Sequence, residues 1–88
     1  MDSYVIYASI DGEEARAIET FKAADYKGSD KAAYMDARKS LTNKLSRIKE
    51  DPRCSNIQTC ICAFEYDREE DDGRKRHVRI YIGRTLAD

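Results

Sequence analysis

The sequence has no tryptophan, one proline, one histidine and four glycines among its 88 residues. Its longest early apolar stretch, residues 3–10, is too short to span a bilayer and follows no basic leader. We therefore expect neither a membrane anchor nor a signal peptide, and a cytoplasmic location. Three cysteines cannot all pair within one chain, and cytosolic thiols stay reduced, so no disulfide framework is expected. A chain of this length has room for one core, which predicts a single domain over residues 1–88.

Signatures of catalysis are also missing. The sequence contains no Walker loop, dinucleotide fingerprint, nucleophile elbow or His-Glu-x-x-His motif. The one histidine, His77, is predicted to face Asp67 on an exposed hairpin, where an ion pair is the simpler interpretation. The cysteines could join it as zinc ligands, but Cys60 and Cys62 are predicted on one strand face and His77 on the other. We therefore expect no enzyme activity, no metal site and no cofactor, and interpret the cysteines as small core residues.

Neither sign of charge is in clear excess, but the two signs are unevenly distributed. The formal net charge is −1. Residues 1–21 carry five acids and one base, residues 22–53 carry nine bases and five acids, and residues 54–88 carry seven acids and six bases. A nucleic-acid-binding domain usually has a strong basic excess, because counterion release from phosphates supplies most of its nonspecific affinity. The overall balance argues against such a domain but allows a local basic face in the middle third.

Hydrophobic patterning predicts five elements in the order β-α-α-β-β. Residues 3–10 predict a strand, and Asp11-Gly12 predicts a break after it. Apolar positions three and four apart predict a helix over residues 13–26 and an amphipathic helix over residues 30–50, which Ser29 can cap and Pro52 ends. Strands are predicted over residues 56–66 and 75–86. The predicted fold is α+β: a three-stranded sheet in the order 2-3-1, with two helices packed on one face.

The turn between the last two strands fixes their register. A two-residue loop at Asp72 and Gly73 would place charged side chains beside the hydrophobic row. A three-residue loop over residues 71–73, with Gly73 left-handed, avoids this problem. The pairs that it predicts are Phe64–Ile80, Tyr66–Val78, Cys62–Ile82, Glu65–Arg79 and Asp67–His77. Hydrophobic partners then meet on one face of the hairpin and opposite charges on the other.

The sheet face away from the helices, which we call the open sheet face, is unusually apolar for an uncovered surface. If Ile6 and Ile80 point inward, an outward row results. This row contains Val5, Tyr7, Ile61, Ala63 and Tyr81, bordered by Arg79 and Glu65. An apolar patch rimmed by charge usually marks an interface, so we predict a protein interface here, including a homodimer. RNA is the second hypothesis, although residues 79–83 lack the glycine-aromatic pattern of ribonucleoprotein motifs. A helix crossing to this face would instead make the row plain core.

An acidic cluster and a basic helix edge are two further candidates. The cluster, which we call the acidic prong, contains Asp67, Glu69, Glu70, Asp71 and Asp72. Its spacing does not fit a calcium loop, so it is either a solvated hairpin tip or a prong that docks on a basic partner surface. The basic edge contains Lys31, Arg38 and Lys49 of the second helix. These side chains could track phosphates or cover the apolar stripe beside them.

These features favour a noncatalytic protein-binding module, a regulator or inhibitor that docks on a larger protein. In size and composition the chain resembles the small regulators and inhibitors that phages and other mobile elements encode. The alternative is a small nucleic-acid-binding domain that uses the basic helix edge or the open sheet face.

Overall fold

The computed structural model describes residues 2–86. Its elements are β1 (Asp2–Ile10), β2 (Arg16–Lys22), a 3-10 helix (Ala23–Tyr26), α1 (Asp30–Glu50), β3 (Cys54–Cys60), β4 (Ala63–Glu69) and β5 (Lys75–Leu86). The strands form one antiparallel sheet in the order β2-β1-β5-β4-β3, and α1 packs on one face of it. The predicted three-stranded sheet with two helices is therefore wrong, because the sheet has two more strands and the first predicted helix does not form.

The segment predicted as a helix over residues 13–26 forms β2 and the 3-10 helix instead. Asp11 and Gly12 both have positive φ angles, 53° and 74°, and the Glu13 N–H donates to the Ile10 carbonyl at 3.0 Å. This is a type I′ turn, whose twist suits a β-hairpin and for which Asp-Gly is a preferred pair. A β-bulge interrupts the pairing of β2 with β1, and its extra residue is Ile18. The bulge breaks the two-residue alternation of a regular strand and leaves a spacing that imitates a helix.

The helix α1 spans the predicted residues 30–50. The Ser29 hydroxyl accepts a hydrogen bond from the Ala32 N–H at 3.1 Å, as expected for a helix cap. Ala33, Ala37 and Leu41 are buried at intervals of four residues, so they form one face of the helix against the sheet. Within residues 2–86, no helix combines the length and the apolar character needed to cross a membrane.

The strand predicted over residues 56–66 is two strands joined by a turn at Ile61 and Cys62. Cys60 pairs with Ala63 across this turn. Neither turn residue is a glycine, proline, asparagine or aspartate, so no local signal marks the break. The extra strand β3 takes the edge of the sheet, and β4 becomes an interior strand between β3 and β5.

The hairpin of β4 and β5 has the predicted register. The observed pairs are Phe64–Ile80, Glu65–Arg79, Tyr66–Val78 and Asp67–His77. Gly73 has a φ of 83°, its N–H donates to the Glu70 carbonyl at 3.0 Å, and the Glu70 N–H donates to the Arg74 carbonyl at 2.7 Å. The three-residue loop is therefore confirmed. The predicted order 2-3-1 places the first strand beside the last, and this neighbour relation is also confirmed, since β1 pairs with β5 in antiparallel orientation.

The core lies between α1 and the sheet face that carries Ile6 and Ile80. Its buried members are Ile6, Leu41, Phe64, Tyr66, Val78 and Ile80. Cys60, which the sequence predicts in the core, is exposed, and so is Ile10, although it lies in the same inward row of β1 as Ile6. Cys60 lies directly before the unpredicted turn, which places it on the opposite face of the sheet from Phe64. Ile10 lies on the correct face but beyond the area that α1 covers.

Candidate functional site on the open sheet face

One face of the sheet packs against α1, and no helix of residues 2–86 covers the other. A row of five residues, one from each strand, crosses this open sheet face. The pairs that define it are Ala17–Tyr7, Tyr7–Tyr81, Tyr81–Ala63 and Ala63–Cys60. We call these five residues the apolar band. Four strand spacings of about 4.8 Å make the band about 19 Å long, so it spans the full width of the sheet.

Tyr7 and Tyr81 form a ridge in the apolar band. Their ring centroids are 5.4 Å apart and their planes differ by 29°, which is a stacked arrangement. The guanidinium carbon of Arg79 lies 4.9 Å from the Tyr81 ring centroid, within range of a cation–π interaction. The Tyr7 ring lies over Gly83, where a β-carbon would come within 2.6 Å of Tyr7 Cε2. A glycine at position 83 therefore allows the ridge to form.

The structure brings together part of the surface predicted here. Tyr7, Ala63 and Tyr81 lie in the apolar band, and Arg79 borders it. Val5 lies on the same face of β1 but is buried. Ile61 belongs to the turn between β3 and β4, where it is 75% exposed and outside the band.

Two members of the apolar band are absent from the sequence prediction. The sequence predicts Ala17 in a helix, but residues 16–22 form β2. It predicts Cys60 in the core, but the turn after β3 places Cys60 on the open sheet face. The Asp11-Gly12 dipeptide, interpreted as a hairpin turn, would have placed residues 16–22 beside β1 and so identified Ala17. No comparable local signal would have identified Cys60.

A hydrogen-bonded group of side chains lies beside the apolar band. His77 Nδ1 is 2.9 Å from Asp67 Oδ1, and His77 Nε2 is 3.3 Å from Glu65 Oε1. Asn56 Nδ2 donates to the other oxygen of Asp67 at 2.8 Å. The hydrogen bond to Asp67, together with the nearby charge of Glu65, raises the pKa of His77 above 6.5. The bonds from Asn56 and His77 lower the pKa of Asp67. This border of the band is therefore internally paired.

Stability is expected to depend on the charge of His77. Because the pKa of His77 in the folded state lies above its ordinary value of 6.5, protonated His77 stabilises the fold fully below pH 6.5. This contribution is lost as the pH rises from 6.5 through the raised pKa. The melting temperature of the wild type should therefore fall more than that of His77→Gln over this pH range. An NMR titration that gives His77 a pKa at or below 6.5 would contradict this expectation.

The acidic prong does not form one continuous acidic surface. Most of its members have cationic neighbours: Asp67 has His77, Asp71 has Arg53 at 3.0 Å, Asp72 has Arg74 at 3.5 Å, and Glu69 lies opposite Lys75. Neither Glu69 nor Glu70 forms an ion pair within 4 Å among residues 2–86. Exposed ion pairs contribute little to stability. They do reduce the negative charge that Asp67, Asp71 and Asp72 present to a partner, which leaves Glu69 and Glu70 as the members of the prong without an ion pair.

The predicted basic edge is sparse. Lys31 and Lys49 are exposed on α1, about 27 Å apart along the helix axis. Between them, Arg38 Nη1 donates to the Tyr34 hydroxyl at 3.2 Å, and its guanidinium carbon lies 5.8 Å from the Tyr34 ring centroid. Arg38 thus covers an aromatic side chain of the helix. This arrangement agrees with the interpretation that the basic side chains cover the apolar stripe beside them.

The three cysteines are free thiols in different settings. Cys60 lies in the apolar band, and Cys54 packs at the edge of the core, where burial raises its pKa. Cys62 lies in the turn, with its Sγ 3.0 Å from the Tyr34 hydroxyl. Within residues 2–86, no three His, Cys, Asp or Glu side chains are grouped so that they could hold a metal ion. The core assignment of the cysteines is therefore supported for Cys54 and wrong for Cys60.

No family model, curated protein or solved structure matches the chain. Among the surfaces described above, the open sheet face combines an aromatic ridge and small neighbouring side chains in one continuous row, with charged residues at its border. That combination makes it the strongest candidate for a functional site.

Proposed function

We propose that the protein is a noncatalytic protein-binding module whose open sheet face docks other chains, the first of them a second copy of itself. The observation that carries this proposal is the apolar band, which crosses all five strands on a face that α1 does not cover. An uncovered sheet face is normally polar, and an exposed apolar row with a charged border is typical of an interface. Such a module acts by occupying a surface, as regulators and inhibitors of larger proteins do.

A second copy is the favoured occupant because two neighbouring parts of the apolar band have complementary shapes, one with large tyrosine rings and the other with small side chains. A symmetric dimer brings the same patch of both subunits together, so the patch must fit itself. The Tyr7–Tyr81 ridge lies beside Ala63 and Cys60, which line a concavity of about 80 Å³. In a face-to-face dimer, the ridge of one copy can therefore pack against Ala63 and Cys60 of the other.

The charges at the border are also complementary under a two-fold axis. Arg79 lies opposite Glu65 in the β4–β5 ladder. Arg79 forms no ion pair within 4 Å among residues 2–86, so its charge remains available. In a dimer related by an axis near these strands, each of the two residues meets its opposite on the other copy. Complementary border charges of this kind fix register and orientation.

Nucleic acid is the less favoured occupant of the open sheet face. A base-stacking platform needs free ring faces, whereas Tyr7 and Tyr81 stack on each other and Arg79 stacks on Tyr81. The border places Glu65 and Asp67 beside the cationic groups, so it lacks the basic groove that tracks a phosphate backbone.

Sedimentation velocity of the full chain tests the proposal. The wild type is expected to be a dimer at about 100 µM, a concentration that detects even a weak interface. Tyr81→Glu should be monomeric, because a carboxylate buried without a partner is strongly unfavourable. Met35→Glu is a matched control, since Met35 is 57% exposed on α1, away from the open sheet face. This control should remain a dimer.

An exchange of charges provides a second test. Arg79→Glu should weaken the dimer by repulsion of Glu65, and the double variant Arg79→Glu with Glu65→Arg should restore it. Circular dichroism and melting temperature confirm that each variant is folded. A wild type that sediments as a monomer at about 100 µM, or a folded Tyr81→Glu variant that stays dimeric, would contradict the proposal.

A further inference from the structure

A groove lies on the helix-covered face of the sheet, at the end that α1 does not reach. Its apolar floor consists of Ala8 and Ile10 of β1 and Ile18 of β2, and its volume is about 520 Å³. Its rim is charged and contains Glu13, Glu14, Arg16, Glu70 and Arg76. Ile10 and Ile18 are 46% and 48% exposed, and they are two of the four large hydrophobic side chains that are exposed among residues 2–85. Half of the large apolar side chains that are exposed in residues 2–85 therefore lie in one groove.

The path of α1 explains why the groove is open. The inward row of β1 begins beneath the helix, where Ile6 is fully buried, and continues through half-buried Ala8 to exposed Ile10. After α1 ends, the Arg53 carbonyl accepts a hydrogen bond from the Glu69 N–H at 2.9 Å, so this end of the helix lies on the β3–β4 side of the sheet. The hairpin of β1 and β2 at the same end is left without a helix over it.

The rim of the groove has unbalanced negative charge. Arg76 Nη1 lies 2.9 Å from Asp11 Oδ2, so the charge of this arginine is neutralised locally. Glu13, Glu14 and Glu70, which we call the acidic rim, form no ion pair within 4 Å among residues 2–86. The acidic rim carries three negative charges, and the only base of the lining besides the neutralised Arg76 is Arg16, which carries one positive charge. The rim therefore has a net charge of −2. A ligand that fits the groove must therefore supply both apolar surface and positive charge.

We propose that this groove binds a basic amphipathic helix of a partner protein. The apolar side of such a helix would cover the apolar floor, and its flanking lysines and arginines would meet the acidic rim. A helix suits the position because α1 already packs on the same sheet face, and a docked helix would extend that layer over the uncovered strands. Glu70 is then the member of the acidic prong that the partner contacts.

A titration with a defined peptide tests this proposal. The probe is a peptide of leucine and lysine about 18 residues long, roughly five helical turns, with leucines three and four positions apart. Added to ¹⁵N-labelled protein, it should produce saturable shifts in the amide signals of Ala8, Ile10 and Ile18. Ile18→Asp should weaken binding at least about tenfold through the loss of apolar contact. Glutamine at all three acidic-rim positions should weaken binding about tenfold and reduce its salt dependence.

Two controls separate the groove from a general attraction to acidic residues. A matched peptide of leucine and glutamate should not bind. Replacing Glu69, Asp71 and Asp72 with their amides removes the same number of negative charges as the acidic-rim variant, but from β4–β5 hairpin positions that do not line the groove. This variant should keep its affinity for the leucine–lysine peptide within about threefold, because charges outside the groove act through screened solvent.

Several results would overturn the proposal. These are equal binding of the leucine–glutamate peptide, unchanged affinity in a folded Ile18→Asp variant, an equal loss in the Glu69, Asp71 and Asp72 variant, or shifts confined to the signals around Tyr81. The groove and the apolar band lie on opposite faces of the sheet, so the two proposals fail separately. Tyr81→Glu should bind the peptide as the wild type does, whatever its oligomeric state.

Discussion

Replacing Phe64 with alanine is expected to lower the free energy of unfolding by about 3–5 kcal/mol. Phe64 of β4 is 2% exposed and belongs to the core cluster that includes Leu41 and Ile80. Its ring stacks on that of Tyr66, with the two ring centroids 5.9 Å apart. The core is enclosed by one helix and one sheet, so few elements can move to fill the space left by the ring. A chain of this length is stable by about 4–13 kcal/mol, so the loss is a large part of the total.

Urea unfolding followed by circular dichroism measures this effect. Phe64→Leu keeps most of the side-chain volume and should lose only about 1 kcal/mol. Ile61→Ala removes an aliphatic side chain that is 75% exposed, and it should change the stability by less than about 0.5 kcal/mol. If Phe64→Ala were no more destabilising than Phe64→Leu, the central position of this ring in the core would be wrong.

The second large effect on the free energy of unfolding is expected at Gly83 in β5, which lies beneath the Tyr7 ring on the open sheet face. A β-carbon on this residue would lie 2.6 Å from Tyr7 Cε2 and 3.1 Å from Tyr7 Cδ2, closer than the usual 3.5–4.0 Å between carbon atoms. The Tyr7 ring must therefore turn away and give up its stacking on Tyr81. Gly83→Ala should cost about 1–3 kcal/mol through this overpacking, and it should also weaken the dimer.

A double-mutant cycle isolates the contribution of the ring. In a Tyr7→Ala background the added methyl group meets no ring, so Gly83→Ala should be neutral or slightly stabilising, since alanine restricts the unfolded chain more than glycine does. Unfolding free energies of the wild type, both single variants and the double variant complete the cycle. Equal costs of Gly83→Ala in the two backgrounds would show that the Tyr7 ring is not the obstacle.

Elements with strong local signals were predictable from the sequence. Ser29 and Pro52 bound α1 at its two ends, and its apolar row has the period of a helix throughout. The β4–β5 register follows from the left-handed Gly73 and from the condition that Glu65 meets Arg79 while Phe64 meets Ile80. Each of these features is specified by residues close together in the chain.

The segment that became β2 carries conflicting local signals. Asp11 can cap a helix or form a type I′ turn with Gly12, and the apolar residues after it are three and four apart. Pairing with β1 and the bulge at Ile18 decide in favour of the strand. Both depend on contacts between elements, which local propensity does not contain.

The candidate site was predictable only in part for the same reason. Tyr7, Ala63 and Tyr81 follow from the alternation within β1, β4 and β5, whose positions beside one another and whose β4–β5 register the sequence predicts. The apolar band is complete only when Ala17 and Cys60 are added, and this requires the two unpredicted turns. The groove, likewise, exists because α1 leaves one corner of the sheet uncovered, a matter of helix direction that periodicity does not specify.

The central position of β5 constrains the order in which the nascent chain can fold. β5 is the last of the five strands to leave the ribosome, yet it joins β1 on one side to β4 on the other. Before it emerges, β1–β2 and β3–β4 can form only as two separate hairpins, and α1 has no continuous sheet on which to pack. The five-stranded sheet can therefore form only when β5 inserts between the unpaired edges of β1 and β4. Contacts that distant in sequence make folding slow and expose unpaired strand edges in the meantime.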